Sequence, residues 1–150
     1  MANTYSQIYI HIIFSVQARN KLIKDHFREE LHKYIAGIIK RRRQKLLAVN
    51  SVSDHIHILC NTQPDFNISD LVRDIKTNST MFINDKKWLN TRFNWQRGFG
   101  AFSYSLAQVD GVIQYIHNQE EHHREKAFRT EYRDFLNKFQ VDYDPKYVFD

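Results

Sequence analysis

In the segment Asp54–Leu59, two histidines, His55 and His57, flank one aliphatic residue inside an apolar run. Successive side chains of a strand point to opposite faces, so a strand here carries both imidazoles on one face and Ile56 and Ile58 on the other. Histidine is a common metal ligand, and a pair arranged in this way can share one ion, although two ligands do not complete a metal site. The pattern therefore predicts a strand with a metal-binding face that needs a partner from elsewhere in the chain.

The order of the predicted elements indicates the fold class. Alternating apolar residues and helical spacing predict strands over residues 5–15, 45–52, 52–62 and 100–105, and helices over residues 25–43, after Asn67 and over residues 110–128. Strand, helix, strand, strand, helix and strand in this order form the ferredoxin-like pattern, an antiparallel sheet with two helices on one face. We therefore predict an α+β fold in which both histidines lie on the other face, near the helix of residues 110–128.

Length and composition favour one domain over residues 1–150, in which residues 129–150 are a C-terminal extension packed on it. Only 2 Pro and 4 Gly and a hydrophobic share of 42% argue against disorder. No apolar run approaches the roughly 18 residues of a membrane span, and no signal peptide precedes the first strand. The single Cys60 is expected to be a buried thiol in a reducing compartment, so we expect a cytoplasmic protein.

The net charge of +5 and the isoelectric point near 9.3 favour a polyanionic partner such as nucleic acid. The candidate DNA contacts are basic residues near the end of the first helix, on the second helix and in the aromatic segment after it, namely Arg41, Arg42, Arg43, Arg73, Lys76, Arg92 and Arg97. Each group also has a structural explanation, because cations complement the dipole at a helix C-terminus and polar helix faces are commonly solvated. In the aromatic segment, Trp88 and Trp95 either stack on unpaired bases or belong to the core.

The helix predicted over residues 110–128 carries candidate partners for the histidine pair. Its apolar stripe leaves Tyr115 and Gln119 one turn apart on one flank, so a helix across the open sheet face presents a phenol and a carboxamide together. Two imidazoles and an amide oxygen can hold a divalent cation, which polarises a phosphodiester for in-line attack by the tyrosine hydroxyl. A covalent phosphotyrosine keeps the bond energy for religation, which suits a strand-transfer enzyme.

Several motifs in this order resemble one known family. The motifs are Tyr9–Phe14, Asp54–Leu59, Trp95-Gln96, Gly98–Ser103 and Tyr115–His123. Together they are similar to the single-tyrosine HUH transposases of the smallest bacterial insertion sequences and to the REP-associated tyrosine transposases. The resemblance covers nearly the whole chain. Each motif is weak alone, but their combination at these separations is specific.

The resemblance implies an enzyme that cuts and rejoins single-stranded DNA at element ends in the bacterial cytoplasm. Members of the family recognise hairpins near those ends, use Mg²⁺ or Mn²⁺, and work as homodimers in which each tyrosine helix can serve the partner's histidine pair. Carried over by position, Tyr115 is the nucleophile that forms a 5′-phosphotyrosine. His55, His57 and Gln119 are then the metal ligands.

Two other functions stay open at this point. A domesticated relative would bind nucleic-acid hairpins without cutting them, and a nuclease would use activated water in place of Tyr115. The ligand set is open as well, because Glu120 and His123 are further candidates, and His117 stands where relatives often carry an aliphatic residue. Taken singly, a histidine on a strand or a tyrosine on a helix is more often structural, whereas the combination favours the enzyme.

Overall fold

The computed structural model describes residues 4–119 and 127–149. Its elements are the strands β1 (Tyr9–Ser15), β2 (Lys45–Ser51), β3 (His55–Asn61) and β4 (Gly100–Tyr104), the helices α1 (Asp25–Arg41), α2 (Ile68–Lys86), α3 (Leu106–His117) and α4 (Phe128–Lys138), and a short 3-10 turn at Gln17–Arg19. The strands form one antiparallel sheet in the order β2-β3-β1-β4. This arrangement confirms the predicted ferredoxin-like α+β fold. In the described part of the chain, no helix is long and apolar enough to cross a membrane.

One face of the sheet is apolar and carries α1 and α2. The side chains of Ile12, Phe14, Ile56 and Ile58 on β1 and β3 are buried there in one cluster with the apolar stripes of both helices. Fully burying a side chain of this kind is favourable by about 1.5–3 kcal/mol, so this layer supplies much of the stability of the fold.

The opposite face is covered by two helices, each over one half of the sheet. α3 lies over β2 and β3 and packs through Val109, Val112 and Ile116 on Ala48 and Leu59. α4 lies over β1 and β4, where its cluster comprises Phe128, Phe135, Leu136, Ile13 and Phe102. The histidines of β1 and β3 are therefore enclosed between α3 and α4.

The start of α3 differs from the sequence prediction because of a helix cap. The sequence predicts a start near Asp110, whereas the helix begins at Leu106. Ser105 and Gln108 form a capping box there, in which the Ser105 backbone N–H donates to Oε1 of Gln108 over 2.9 Å. The cap adds one turn to the helix that carries Tyr115.

Other boundaries shift by a few residues. A single helix through residue 128 is wrong, because α3 ends at His117 and a separate helix begins at Phe128. β1 begins at Tyr9 rather than at residue 5. α1 ends at Arg41, and Arg43 takes a left-handed conformation with φ of 65° that ends the helical path.

Candidate active site

The two histidines of β3 direct their Nε2 atoms at one carboxylate. His55 and His57 are fully buried, and each Nε2 lies 3.2 Å from Oε1 of Glu131 on α4. Glu131 is itself only 3% exposed. The three side chains offer ligand atoms that all lie within 4.8 Å of one another. The structure therefore assembles a compact donor set of two nitrogens and one oxygen in the protein interior.

Both imidazoles are oriented through their other ring nitrogen. Nδ1 of His55 lies 2.7 Å from Oδ1 of Asp54, and Nδ1 of His57 lies 2.8 Å from Nε2 of His11 on β1. His11 is held in turn by the Tyr104 hydroxyl, 3.4 Å from its Nδ1. When each β3 imidazole donates from Nδ1, its Nε2 lone pair is left for a ligand on the carboxylate side. Hydrogen bonds of this kind fix the ring orientation of metal-binding histidines.

The surroundings shift the histidine pKa values in opposite directions. Burial lowers the pKa of His11 well below its ordinary value, and the neighbouring His57 lowers it further, so His11 is neutral at pH 7. Burial also opposes a charge on His55, but the carboxylates of Asp54 and Glu131 outweigh it, and the pKa of His55 is raised. Positive charge is therefore favoured beside His55, where a divalent cation competes with the proton for the same lone pair.

Tyr115 reaches the same carboxylate from α3. Its hydroxyl donates a hydrogen bond to Oε2 of Glu131, and its ring lies edge-on to that of His57 with 5.9 Å between the centroids. Burial, followed by the negative charge of Glu131, raises the pKa of Tyr115. The phenol is therefore protonated at neutral pH, and its nucleophilicity depends on a group that takes its proton. Glu131 is in contact with that proton.

Gln119, one turn after Tyr115, is buried with an unsatisfied oxygen. Its Nε2 donates to the carbonyl oxygen of Tyr115 over 3.1 Å, whereas its Oε1 has no hydrogen-bond partner among residues 4–119 and 127–149. A buried amide oxygen without a donor is unfavourable, and a cation would relieve it. This observation fits the ligand role that the family resemblance implies for Gln119.

The donor set as a whole suits a divalent cation. Carboxylate and amide oxygens suit Mg²⁺ and Mn²⁺, and imidazole nitrogens bind first-row divalent metals. Ligand atoms at right angles around an ion with bonds of about 2.1 Å are about 3.0 Å apart. The separation between Oε1 of Glu131 and each histidine Nε2 is 3.2 Å, which is close to that value. The residues therefore fit the implied metal, with Glu131 as an additional candidate ligand.

Glu131 is a candidate functional residue that the sequence analysis missed. It falls in the segment interpreted there as a C-terminal extension, and its signal was nonetheless present. Phe128, Glu131 and Phe135 follow one another at helical spacing, so the carboxylate stands inside the apolar stripe of α4. An acidic residue in such a stripe is rarely fully buried unless it is paired.

The predicted DNA contacts separate into two groups in the structure. Arg41, Arg42 and Arg43 lie at the C-terminal end of α1, and Lys45 just after them pairs with Asn61 at the end of β3 remote from the histidines. Arg42 and Arg73 form ion pairs with Asp74 and Asp70, at 2.7 Å and 2.9 Å. The exposed Arg92 and Arg97 precede β4, close to the active-site end of the sheet.

Lys76 differs from the other predicted DNA contacts because its ammonium group is bound to the backbone. It donates to the carbonyl oxygens of Gln96 and Gly98, at 2.7 Å and 2.6 Å, and burial lowers its pKa to about 8. Lys76 thereby holds the loop before β4. His117 is exposed at the end of α3, whereas Glu120 and His123 lie outside the described residues.

Comparisons with known proteins agree on the fold and the family. The family model described as "Transposase IS200 like" matches residues 4–119. A candidate transposase from Deinococcus radiodurans R1 has a similar structure, with a TM-score of 0.65 and 20% identity over 79% of this chain and 95% of that one. A REP-associated tyrosine transposase bound to a REP hairpin gives a TM-score of 0.61 and 17% identity over 82% of this chain and 73% of that one. No curated protein sequence matches significantly.

Proposed function

The chain belongs to the family of IS200-like transposases, and we propose that it cleaves and rejoins single-stranded DNA through a covalent bond to Tyr115. One observation carries the proposal. The carboxylate of Glu131 accepts a hydrogen bond from the Tyr115 hydroxyl through one oxygen and lies 3.2 Å from the Nε2 atoms of His55 and His57 through the other. The Glu131 carboxylate, as proton acceptor, thus contacts both the candidate nucleophile and the candidate metal-binding histidines.

In the cleavage step, the Tyr115 oxygen attacks the scissile phosphorus while its proton passes to Oε2 of Glu131. The P–O3′ bond breaks and a 5′-phosphotyrosine is formed, while the leaving 3′ oxygen takes a proton from water and becomes a free 3′-hydroxyl. His55, His57, Gln119 and Glu131 would hold a divalent cation, Mg²⁺ or Mn²⁺, which would polarise a phosphate oxygen and stabilise the charge of the transition state. In the rejoining step a 3′-hydroxyl attacks the phosphotyrosine, and Tyr115 leaves and recovers its proton.

The proposed partner is single-stranded DNA with hairpins near element ends, in the bacterial cytoplasm. The solved relative described as bound to a REP hairpin supports this partner class. The exposed basic residues that follow α1 and precede β4 are the proposed phosphate contacts. Phosphate contacts of this kind add affinity that falls as salt concentration rises.

The covalent intermediate tests the proposed chemistry directly. The protein is incubated with Mg²⁺ and end-labelled single strands taken from the DNA that flanks its gene, and the products are separated under denaturing conditions. We expect a protein–DNA adduct that Tyr115→Phe abolishes while hairpin binding is retained. Tight binding without cleavage would identify a hairpin-binding module instead, and cleavage that persists in Tyr115→Phe would identify a nuclease that uses water.

We also propose a homodimer in which the tyrosine of one subunit can act with the histidine pair of the other. Mixing two inactive proteins tests it, one with Tyr115→Phe and the other with His57→Ala. Recovery of adduct formation on mixing is expected, because a Tyr115 from one subunit then meets an intact histidine pair from its partner. If the two proteins form mixed dimers and the mixture stays inactive, each subunit uses its own tyrosine.

A further inference from the structure

A cavity borders the candidate active site next to His55. It has a volume of about 280 Å³ and lies between the end of β1, the loop before β4, α4 and the C-terminal segment. The ring of Phe128 separates it from the site, with 4.5 Å between the ring centroids of Phe128 and His55. Ser15, which also lines the cavity, is the residue of β1 paired with His55. A group in the cavity is therefore one side chain from a candidate metal ligand.

The walls of the cavity are aromatic. Phe99, Phe128, Tyr132, Tyr143 and Phe149 line it, and the rings of Phe128 and Tyr132 are stacked with 5.4 Å between centroids. Aromatic walls of this kind bind flat rings, and every nucleobase has a face on which such rings stack. The wall chemistry thus suits a base rather than a sugar or a phosphate.

One polar group in the cavity lacks a partner. Gln96 is 8% exposed, and its Oε1 accepts a hydrogen bond from the backbone N–H of Ala18 over 3.2 Å. Its Nε2 is buried and has no hydrogen-bond partner in the described part of the chain. Buried donors are nearly always satisfied in folded proteins, so a donor left open in a cavity indicates an acceptor that arrives with a ligand.

The loop that carries Gln96 is held in place from both sides. The Gln96 backbone N–H donates to the carbonyl oxygen of Ser15 over 2.8 Å, and Lys76 binds the carbonyl oxygens of Gln96 and Gly98. On the facing wall, Tyr132 lies directly against Gly100, where a Cβ would come within 2.6 Å of the ring. Both sides of the cavity are therefore fixed before a ligand arrives, which limits the entropy lost on binding.

Basic side chains lie around Phe149 at one wall of the cavity, which Asp142 also lines. The guanidinium groups of Arg19, Arg129 and Arg133 lie 5.7, 4.7 and 5.3 Å from the centre of the Phe149 ring, and the exposed Arg97 follows Gln96. Basic side chains of this kind attract the phosphates on either side of an inserted nucleotide.

We propose that this cavity binds the unpaired base of a nucleotide that flanks the scissile phosphate, stacked on the aromatic walls and hydrogen-bonded to Nε2 of Gln96. This inference rests on the proposed function for its substrate and adds a determinant of where the strand is cut. Because Nε2 of Gln96 is a donor, the bound base presents an acceptor to it, such as O4 of thymine or O6 of guanine.

The test measures equilibrium binding of single-stranded DNA to the Tyr115→Phe protein, so that cleavage does not interfere. Each nucleotide around the cleavage site is replaced in turn by an abasic one. We expect one position to lower affinity by roughly 5- to 100-fold, the scale of one stacked base. In Tyr115→Phe combined with Tyr132→Leu, we expect that penalty to shrink severalfold.

The matched control for Tyr132→Leu is Tyr34→Leu, which removes a ring stacked on Phe82 at the remote face of the sheet and should leave the abasic penalty unchanged. A second variant, Gln96→Glu, replaces the donor with an acceptor and keeps the bond from Ala18. It should weaken binding of bases that present an acceptor to residue 96 and shift the preference at the sensitive position towards bases that present a donor there, such as the amino group of cytosine or adenine.

A flat abasic scan would overturn the inference, and so would a penalty that Tyr132→Leu and Gln96→Glu both leave unchanged, since the base would then be bound elsewhere. The adduct experiment reports separately on the chemistry. An adduct with a flat scan rejects the cavity alone, whereas a sensitive position without any adduct rejects the proposed function and keeps the base site.

Discussion

The two faces of the sheet are built from the same two strands and have opposite characters. Towards α1 and α2, β1 and β3 present only apolar side chains, which are buried in one cluster or, for Ile10, packed against it. Towards α3 and α4 the same strands present His11, His55 and His57, which are just as deeply buried but connected by hydrogen bonds. Burial alone therefore does not distinguish the stabilising face from the candidate active site, whereas the polarity of the buried atoms does.

The comparison shows how stability and chemistry are separated along one strand. Because side chains alternate with a period of two, neighbouring residues of β3 belong to different layers. Substituting one residue should then change activity, and substituting the next should change the free energy of unfolding. The following predictions test that separation, in order of expected effect.

The largest effect is expected from His57→Ala on the polar face. Removing a metal-binding imidazole should lower adduct formation by roughly a thousandfold, because charge stabilisation in the transition state is lost. The measurement is the rate of adduct formation in Mg²⁺, with hairpin affinity and the far-UV spectrum as controls. If the variant is unfolded, the histidine is structural and the separation of the two faces fails.

Next to it, Ile58→Ala on the apolar face should act on stability. Removing a buried isoleucine side chain lowers the free energy of unfolding by about 2–5 kcal/mol, because apolar burial is lost and a cavity is left. Urea titration followed by circular dichroism measures it. Without denaturant, and at a temperature where the variant is fully folded, the rate of adduct formation should stay within a few-fold of that of the unsubstituted protein. A larger loss would show that the two layers are coupled.

A smaller loss is expected from Glu131→Gln on α4. The amide keeps the shape but no longer takes the proton of Tyr115 or binds a cation through a charged oxygen, so we expect a loss of about 100-fold in adduct formation. Glu30→Gln, at an exposed position on α1, is the matched control. Unchanged adduct formation in Glu131→Gln would show that Glu131 has only a packing role and that the histidines and Gln119 bind the metal without it.

The smallest effect concerns a histidine of the stabilising side. His32 on α1 lies 2.7 Å from the Ser51 hydroxyl, and burial, with the neighbouring Arg28, lowers its pKa from 6.5 to about 4. The folded state therefore binds its proton less readily than the unfolded state, and this contribution to stability is complete above pH 6.5 and lost as the pH falls towards 4.

Between pH 7 and pH 5 the loss attributable to His32 amounts to about 2 kcal/mol. Denaturant unfolding at both pH values measures the free energy of unfolding. Its change between the two pH values should be smaller by this amount in His32→Gln than in the unsubstituted protein. An identical dependence in both proteins would mean that His32 titrates normally. His55, whose pKa is raised by two carboxylates, illustrates the opposite behaviour on the other face.

The fold was accessible from the sequence because its signals are local. The alternation of apolar residues in β1 and β3 extends over a few residues, and their helical spacing in α1 and α2 extends over a few turns. The order of these elements along the chain is compatible with only a few topologies. The same local logic placed Tyr115 one turn before Gln119. The Ser105 to Gln108 capping box is equally local and marks the true start of α3, although the sequence analysis placed that start at Asp110.

The rest of the site depends on contacts between distant residues. Glu131 reaches the histidines only because α4 packs over β1 and β4, and no spacing in the chain specifies that docking. Lys76 has the composition of a phosphate contact, yet it binds two carbonyl oxygens of a loop that follows it by many residues. Side chains with several possible partners are assigned by the tertiary structure and not by their residue type.

The central position of β1 has a consequence for synthesis in the cell. Ile10 pairs with Cys60 on one side and with Ser103 on the other, so both partners of this early strand are made much later. Chains emerge from the ribosome N-terminal end first, and pairing between distant segments is slow. The nascent chain therefore carries an apolar strand with both edges unpaired until β3 is made and with one edge unpaired until β4 is made, and chaperones that shield such edges are expected to raise the yield of folded protein.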